Sequence, residues 1–128
     1  MASYTFGATI DGDFSEVIDR VTGALAEEGF GVLTSIDVQA TMKNKLGIDR
    51  EPYVILGACN PPLANQAINA DPAIGALLPC NVVVRKDGDH IAVDFMDPEA
   101  VLTLVDHPDV PALATEVRVR LERVAARL

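Results

Sequence analysis

The chain is short of cations, of cysteine and of long apolar runs, and each shortage removes a class of function. Lysine and arginine number 10 against 19 aspartates and glutamates, a formal charge of −9. Binding to nucleic acid draws on cations that displace counterions from phosphates, and a negative field opposes it. No nucleic-acid partner is expected. The arginines that do gather, Arg118, Arg120, Arg123 and Arg127, are interleaved with Glu116 and Glu122, a pattern that reads as the solvated face of a helix. No apolar stretch approaches the roughly 20 residues that cross a bilayer, so no membrane partner is expected either. The opening residues Met1 to Phe6 contain neither the basic nor the apolar region of a signal peptide, which points to the cytoplasm. In that compartment the two cysteines do not imply a structural disulfide, and two are too few for a four-ligand zinc site. Dinucleotide fingerprints, P-loops, nucleophile elbows and His-Glu-x-x-His are absent, so the common nucleotide and hydrolase chemistries have no support.

What is present is enough for one domain spanning residues 1–128. A chain of 128 residues with 49% hydrophobic residues can bury a real core. Tyr4, Phe6, Ala8 and Ile10 alternate with small or polar residues, the period of a half-buried strand. Asp13 heads a helix as N-cap, with Glu16 three residues on, and Phe14, Val17, Ile18, Val21 and Leu25 follow at helical spacing up to Gly29. Phe30, Val32, Thr34 and Ile36 alternate again as a second strand. Asp37 then caps a helix in which Val38, Met42 and Leu46 share a face and Gly47 ends it; Met42 is expected in the core. Tyr53 to Ala58 is apolar on both faces and is expected to be a central, covered strand.

Asn60 as N-cap and Pro61 at the first helical position open a third helix, and Asp71-Pro72 repeats the device for a short turn. Cys80 to Arg85 is a fourth strand. Lys86-Asp87-Gly88-Asp89 is a hairpin turn, and Ile91, Val93 and Phe95 alternate along a fifth. Asp97-Pro98 caps another short helix. Val110, Leu113, Val117, Leu121, Val124 and Leu128 form the stripe of a long final helix. The order β-α-β-α-β-α-β-β-α closes with a hairpin, which forces antiparallel pairing. The expected class is α+β: a mostly antiparallel five-stranded sheet with helices packed mainly on one face.

Cys59 ends the third strand and Cys80 begins the fourth. If these strands pair antiparallel, both thiols lie at one end of the sheet, beside the N-terminus of the helix that Asn60 caps. A helix N-terminus favours thiolate and anions. Those are the conditions for a reactive dithiol, a soft-metal site or an anion pocket. Inert burial is the competing reading, since reduced cysteine often serves as a small hydrophobe. His90, beside the hairpin turn, and His107, before Pro108, read as solvated loop residues. Asp37 reads as a cap before a general base.

Three blocks of the sequence then resemble a known family. They are Gly29-Phe30-Gly31-Val32-Leu33-Thr34-Ser35-Ile36-Asp37-Val38-Gln39-Ala40-Thr41, Pro52-Tyr53-Val54-Ile55-Leu56-Gly57-Ala58-Cys59-Asn60-Pro61, and Gly75-Ala76-Leu77-Leu78-Pro79-Cys80-Asn81-Val82-Val83-Val84. Together they resemble the domain of unknown function 302, a bacterial and archaeal family, over about residues 5 to 105. The resemblance implies a small α+β domain that associates as a homodimer, with no established activity. It carries Asp37, Cys59, Asn60, Pro61, Pro79, Cys80 and Asn81 across as motif positions.

The leading expectation is a binding module that holds a small ligand or soft metal ion near Cys59 and Cys80, with Asp37, Asn60 and Asn81 fixing orientation. The thiols are the tentative metal ligands. A thiol-dependent enzyme or redox protein is the second reading, and a structural dimer with inert thiols the third. Binding is preferred to catalysis because a nucleophilic cysteine needs a positioned base and no histidine is placed in sequence to serve.

Overall fold

The computed structural model describes residues 3–128. Strands and helices alternate as β1 (Thr5–Ile10), α1 (Phe14–Glu27), β2 (Gly31–Asp37), α2 (Val38–Leu46), β3 (Tyr53–Cys59) and α3 (Pro61–Ala70). A 3-10 turn at Pro72–Leu77 leads to β4 (Cys80–Asp87), β5 (His90–Met96), α4 (Pro98–Val101) and α5 (Val110–Ala126). The starts are set locally. Side-chain oxygens of Asp13, Asp37, Asn60, Asp71 and Asp97 each accept a backbone N–H of the turn they head, satisfying donors that have no partner within the helix. Gly88 supplies the positive φ of the β4–β5 hairpin.

The five strands form one sheet in the order β1-β5-β4-β3-β2, antiparallel throughout. The central strand is therefore β4. β3, expected at the centre, lies one place over with β2 at the edge beyond it, because the hairpin sets β5 on the far side of β4 and β1 then adds to β5. The apolar character of β3 on both faces has a different cause from the one expected. Val54, Leu56 and Ala58 join the core, while Ile55 lies on the open face, half-buried between Ile36 and Val83.

One face of the sheet is covered by α1 and α5. Val17, Val21 and Leu25 of the first helix and Val117, Leu121 and Val124 of the last pack on Val82, Val84, Ile91, Val93 and Phe95. The stripe read along the last helix is thus a core stripe. A second, smaller cluster gathers Ala67, Ile74, Leu102, Val110 and Ala114 where α3, the 3-10 turn and the start of α5 meet.

Two local expectations change. α2 contributes no buried residue; Val38 and Met42 are half-buried and Leu46 is 63% exposed. The two longer helices already cover the core face of the sheet, so Met42 stays at the margin. The arginines of α5 are also more engaged than a solvated face would be. Arg123 and Arg127 bind the buried Glu28 carboxylate, at 2.7 and 3.0 Å, and Arg120 donates to the Glu28 carbonyl. Arg118 spans Asp97 at 2.7 Å and Glu122 at 2.6 Å, with its guanidinium 3.8 Å from the centroid of Phe6. Periodicity shows which side of a helix is polar but not what lies opposite it.

Candidate functional site

β3 and β4 pair antiparallel, so the end of one and the start of the other meet at the same edge of the sheet. The register sets Ala58 opposite Cys80 and Gly57 opposite Asn81. Cys59 is thus one step beyond Cys80 along the ladder. Asn60 follows as cap of α3, its Oδ1 accepting from the Leu63 amide at 3.2 Å, and only 7% of it is exposed. Gly29, with φ +83°, makes room for it: a Cβ on Gly29 would stand 3.0 Å from Asn60 Nδ2. The residue that ends α1 therefore also seats the cap of α3. Gly57 serves a second close approach, because its missing Cβ leaves space that the Thr34 side chain and the Pro79 ring occupy.

Behind these residues lies a small apolar cavity of about 40 Å³. Ala58, Cys59, Asn60, Pro79 and Cys80 line one side, and Leu63, Ala67, Leu102, Leu113 and Val117 the other. Its lining draws on both hydrophobic clusters, Ala58, Cys80 and Val117 from the larger and Ala67 and Leu102 from the smaller. The cavity marks the seam where two separately packed cores abut. Both thiols are free.

The electrostatics of Cys80 run against a thiolate at this end of the sheet. Burial pushes the Cys80 thiol up to about 11, and the neighbouring Cys59 adds to the rise. Loss of solvation outweighs any help from the helix N-terminus, whose influence fades within a turn. Cys80 is consequently a neutral thiol at pH 7, a small soft hydrophobe with little nucleophilic character. Among the described residues, no group of three or more His, Cys, Asp or Glu is placed to hold a metal ion.

Of the candidates read from sequence, Cys59, Cys80 and Asn60 come together at the cavity. Asn81 does not. It follows Cys80 on β4, is exposed, and lies on the other face of the sheet by the strand's alternation. Asp37 is farther still. It pairs with Val54, five residues from Cys59 along β3, or about 17 Å at the strand rise, and caps α2 through a 2.9 Å bond from the Ala40 amide. Antiparallel pairing of β2 with β3 sends it to the opposite end of the sheet. His90 is exposed and meets Asp11, while His107 lies in the loop before α5. Phe30, Leu63, Leu78, Leu113 and Val117 are not legible from sequence as site residues; Phe30, Leu113 and Val117 read there only as strand and helix core positions. An apolar residue lining a cavity carries the same signal as one filling a core.

The model for the domain of unknown function DUF302 matches residues 6–128. The chain belongs to this family. The fold agrees with that of a solved structure, the crystal structure of an uncharacterized conserved DUF302 protein from Bacillus stearothermophilus. The two are 28% identical, each covered over 98% of its length, with a TM-score of 0.91. No curated protein matches. Among the described residues, no helix is long and apolar enough to cross a membrane.

Proposed function

We propose that this DUF302 protein is a small-ligand binding module whose site is the apolar cavity at the Cys59/Cys80 end of the sheet. The cavity itself carries the reading. Protein interiors pack to crystal density with few voids, so space retained between two well-packed clusters, beside a buried polar cap, is a feature to be explained. A ligand here gains from burial of apolar surface, and Asn60 is the buried polar residue at one end of it. A soft metal fits less well. Burial makes the Cys80 thiol costly to deprotonate, and among the described residues no third His, Cys, Asp or Glu stands with the two thiols to complete a ligand set. The same burial argues against Cys80 as a nucleophile.

Native mass spectrometry of the protein as purified, without reductant, tests this reading. The expected result is a retained organic mass that is lost in Ala64→Leu, a change that fills the cavity from α3, where Ala64 also lines it. A bare chain that also fails to bind benzene or xenon under saturating conditions sinks the proposal.

A second copy belongs to the same reading, as the family resemblance implies. The open face of the sheet bears Ile36, Ile55 and Val83 on the side of β2 and β3. Toward β1 and β5 it is hollow, a channel floored by Gly7 and Ala92 and walled by Thr5, Thr9, Arg85 and Asp94. A two-fold axis on that face sets the bulky half of each copy into the hollow half of the other, the self-complementarity an isologous dimer requires.

A further inference from the structure

The cavity lies against the N-terminus of α3, and the free backbone N–H groups at such an end ordinarily favour an anion. In the first turn of α3 none is free. Pro61 and Pro62 have no N–H. The Leu63 amide donates to Asn60 Oδ1 at 3.2 Å, and the Ala64 amide to the Asn60 carbonyl at 2.9 Å. Among the described residues, none that lines the cavity is charged. A charged group brought inside loses its hydration and meets no counter-charge. The anion pocket that the sequence allows is closed by the two prolines and the cap that start the helix.

The cavity has one thin side. A wide groove of about 690 Å³ runs over the surface between α3 and the start of α5. Among the described residues, only Leu63 and Leu113 line both the groove and the cavity. Both are half-buried. Leu63 packs on the larger hydrophobic cluster and Leu113 on the smaller, so the seam between the two cores passes between them. α3 itself is lightly held, with Ala67 alone buried among its ten residues. Parting the two leucines therefore leaves the interior of each cluster intact. The closed cavity is about a quarter of the ~150 Å³ that admits benzene in an engineered core, so a ligand of that size must part them.

We infer that the ligand is an uncharged, apolar molecule that enters from the groove by parting Leu63 from Leu113, with α3 as the lid that closes over it. This rests on the cavity reading above and adds the class of ligand and its route.

The test titrates methyl-labelled protein in NMR with xenon, benzene, benzoate and benzylamine, the last three sharing one ring. Ala58 and Val117 line the cavity and not the groove, so shifts of their methyls separate entry from surface contact. Benzene is expected to move them and to bind about tenfold more tightly than benzoate or protonated benzylamine, whose charge either loses hydration or holds the lid open. Leu63→Ala and Leu113→Ala should each raise the benzene on-rate severalfold, read from exchange broadening. Benzoate or benzylamine binding as tightly as benzene overturns the uncharged class, while the cavity reading stands. On-rates unchanged in both variants, or xenon binding without benzene, overturn the route alone. If neither xenon nor benzene moves the two methyls, the inference and the cavity reading fall together.

Discussion

At the scale of single residues, the two cysteines differ more than their matched positions suggest. Cys80 is 8% exposed with its thiol pushed up to about 11, and Cys59 is half-buried at the end of its strand. Titration with an aromatic disulfide should therefore show one thiol reacting in the folded protein, Cys59, and a second only on denaturation. Two fast thiols would contradict the burial of Cys80. Cys80→Ser places a hydroxyl among apolar groups and should cost about 1–3 kcal/mol in urea denaturation. Glu28 is the other residue with a consequence for stability. Hydrogen bonds from Arg123 and then Arg127 hold its carboxyl below the ordinary glutamate range. Its contribution is complete above the unfolded-state value, about 4.3, and is lost as pH falls through the lower folded value. Wild type and Glu28→Gln should differ in stability at pH 7 and converge toward pH 3. A pH-independent difference would mean that Glu28 acts by packing alone.

At the scale of elements, α5 ties the molecule together. Its apolar stripe closes the sheet, and its arginines reach the C-terminal end of α1 and the cap of α4. Arg118 is the most connected, joining Asp97, Glu122 and the face of Phe6. Arg118→Ala removes a partly buried ion pair and a cation–π contact together, and should cost about 1–2 kcal/mol. Chemical denaturation measures it, and a loss near zero would show that these contacts are exchanged for water without penalty. By contrast α2 buries nothing, so its local opening by hydrogen exchange should be much faster than that of α5.

At the scale of the whole molecule, the dimer proposed above rests on the open face of the sheet. Ile36 is 48% exposed there, so Ile36→Lys can be made without touching the core. Sedimentation equilibrium should find a dimer in the wild type and a monomer in Ile36→Lys, with unchanged circular dichroism. A wild-type monomer at micromolar concentration, or an Ile36→Lys dimer, rules out this face as the interface.

Much of the fold was legible because its signals are local. Asp13, Asn60, Asp71 and Asp97 could be read as caps because cap geometry depends on a few neighbouring residues, and Gly29, Gly47 and Gly88 because positive φ favours glycine. Part of the candidate site was legible on the same terms. Cys59 and Cys80 had to share an end once their strands paired antiparallel. Alternation alone already sets Asn81 on the face opposite Cys80, and antiparallel pairing of β2 with β3 already carries Asp37 away from the thiols. The remainder depends on contacts between distant segments. The strand order that makes β4 central, the Glu28–Arg123–Arg127 cluster across nearly the full chain and the seam between two cores follow from how the elements are stacked. So does the raised Cys80 thiol, because its solvation is set by what α3 and α5 lay over it. The amino-acid sequence determined where each element begins, ends and turns its apolar side. Only the tertiary structure decided which apolar side chains fill the core and which leave a cavity, because that choice depends on volumes brought together from segments far apart in the chain.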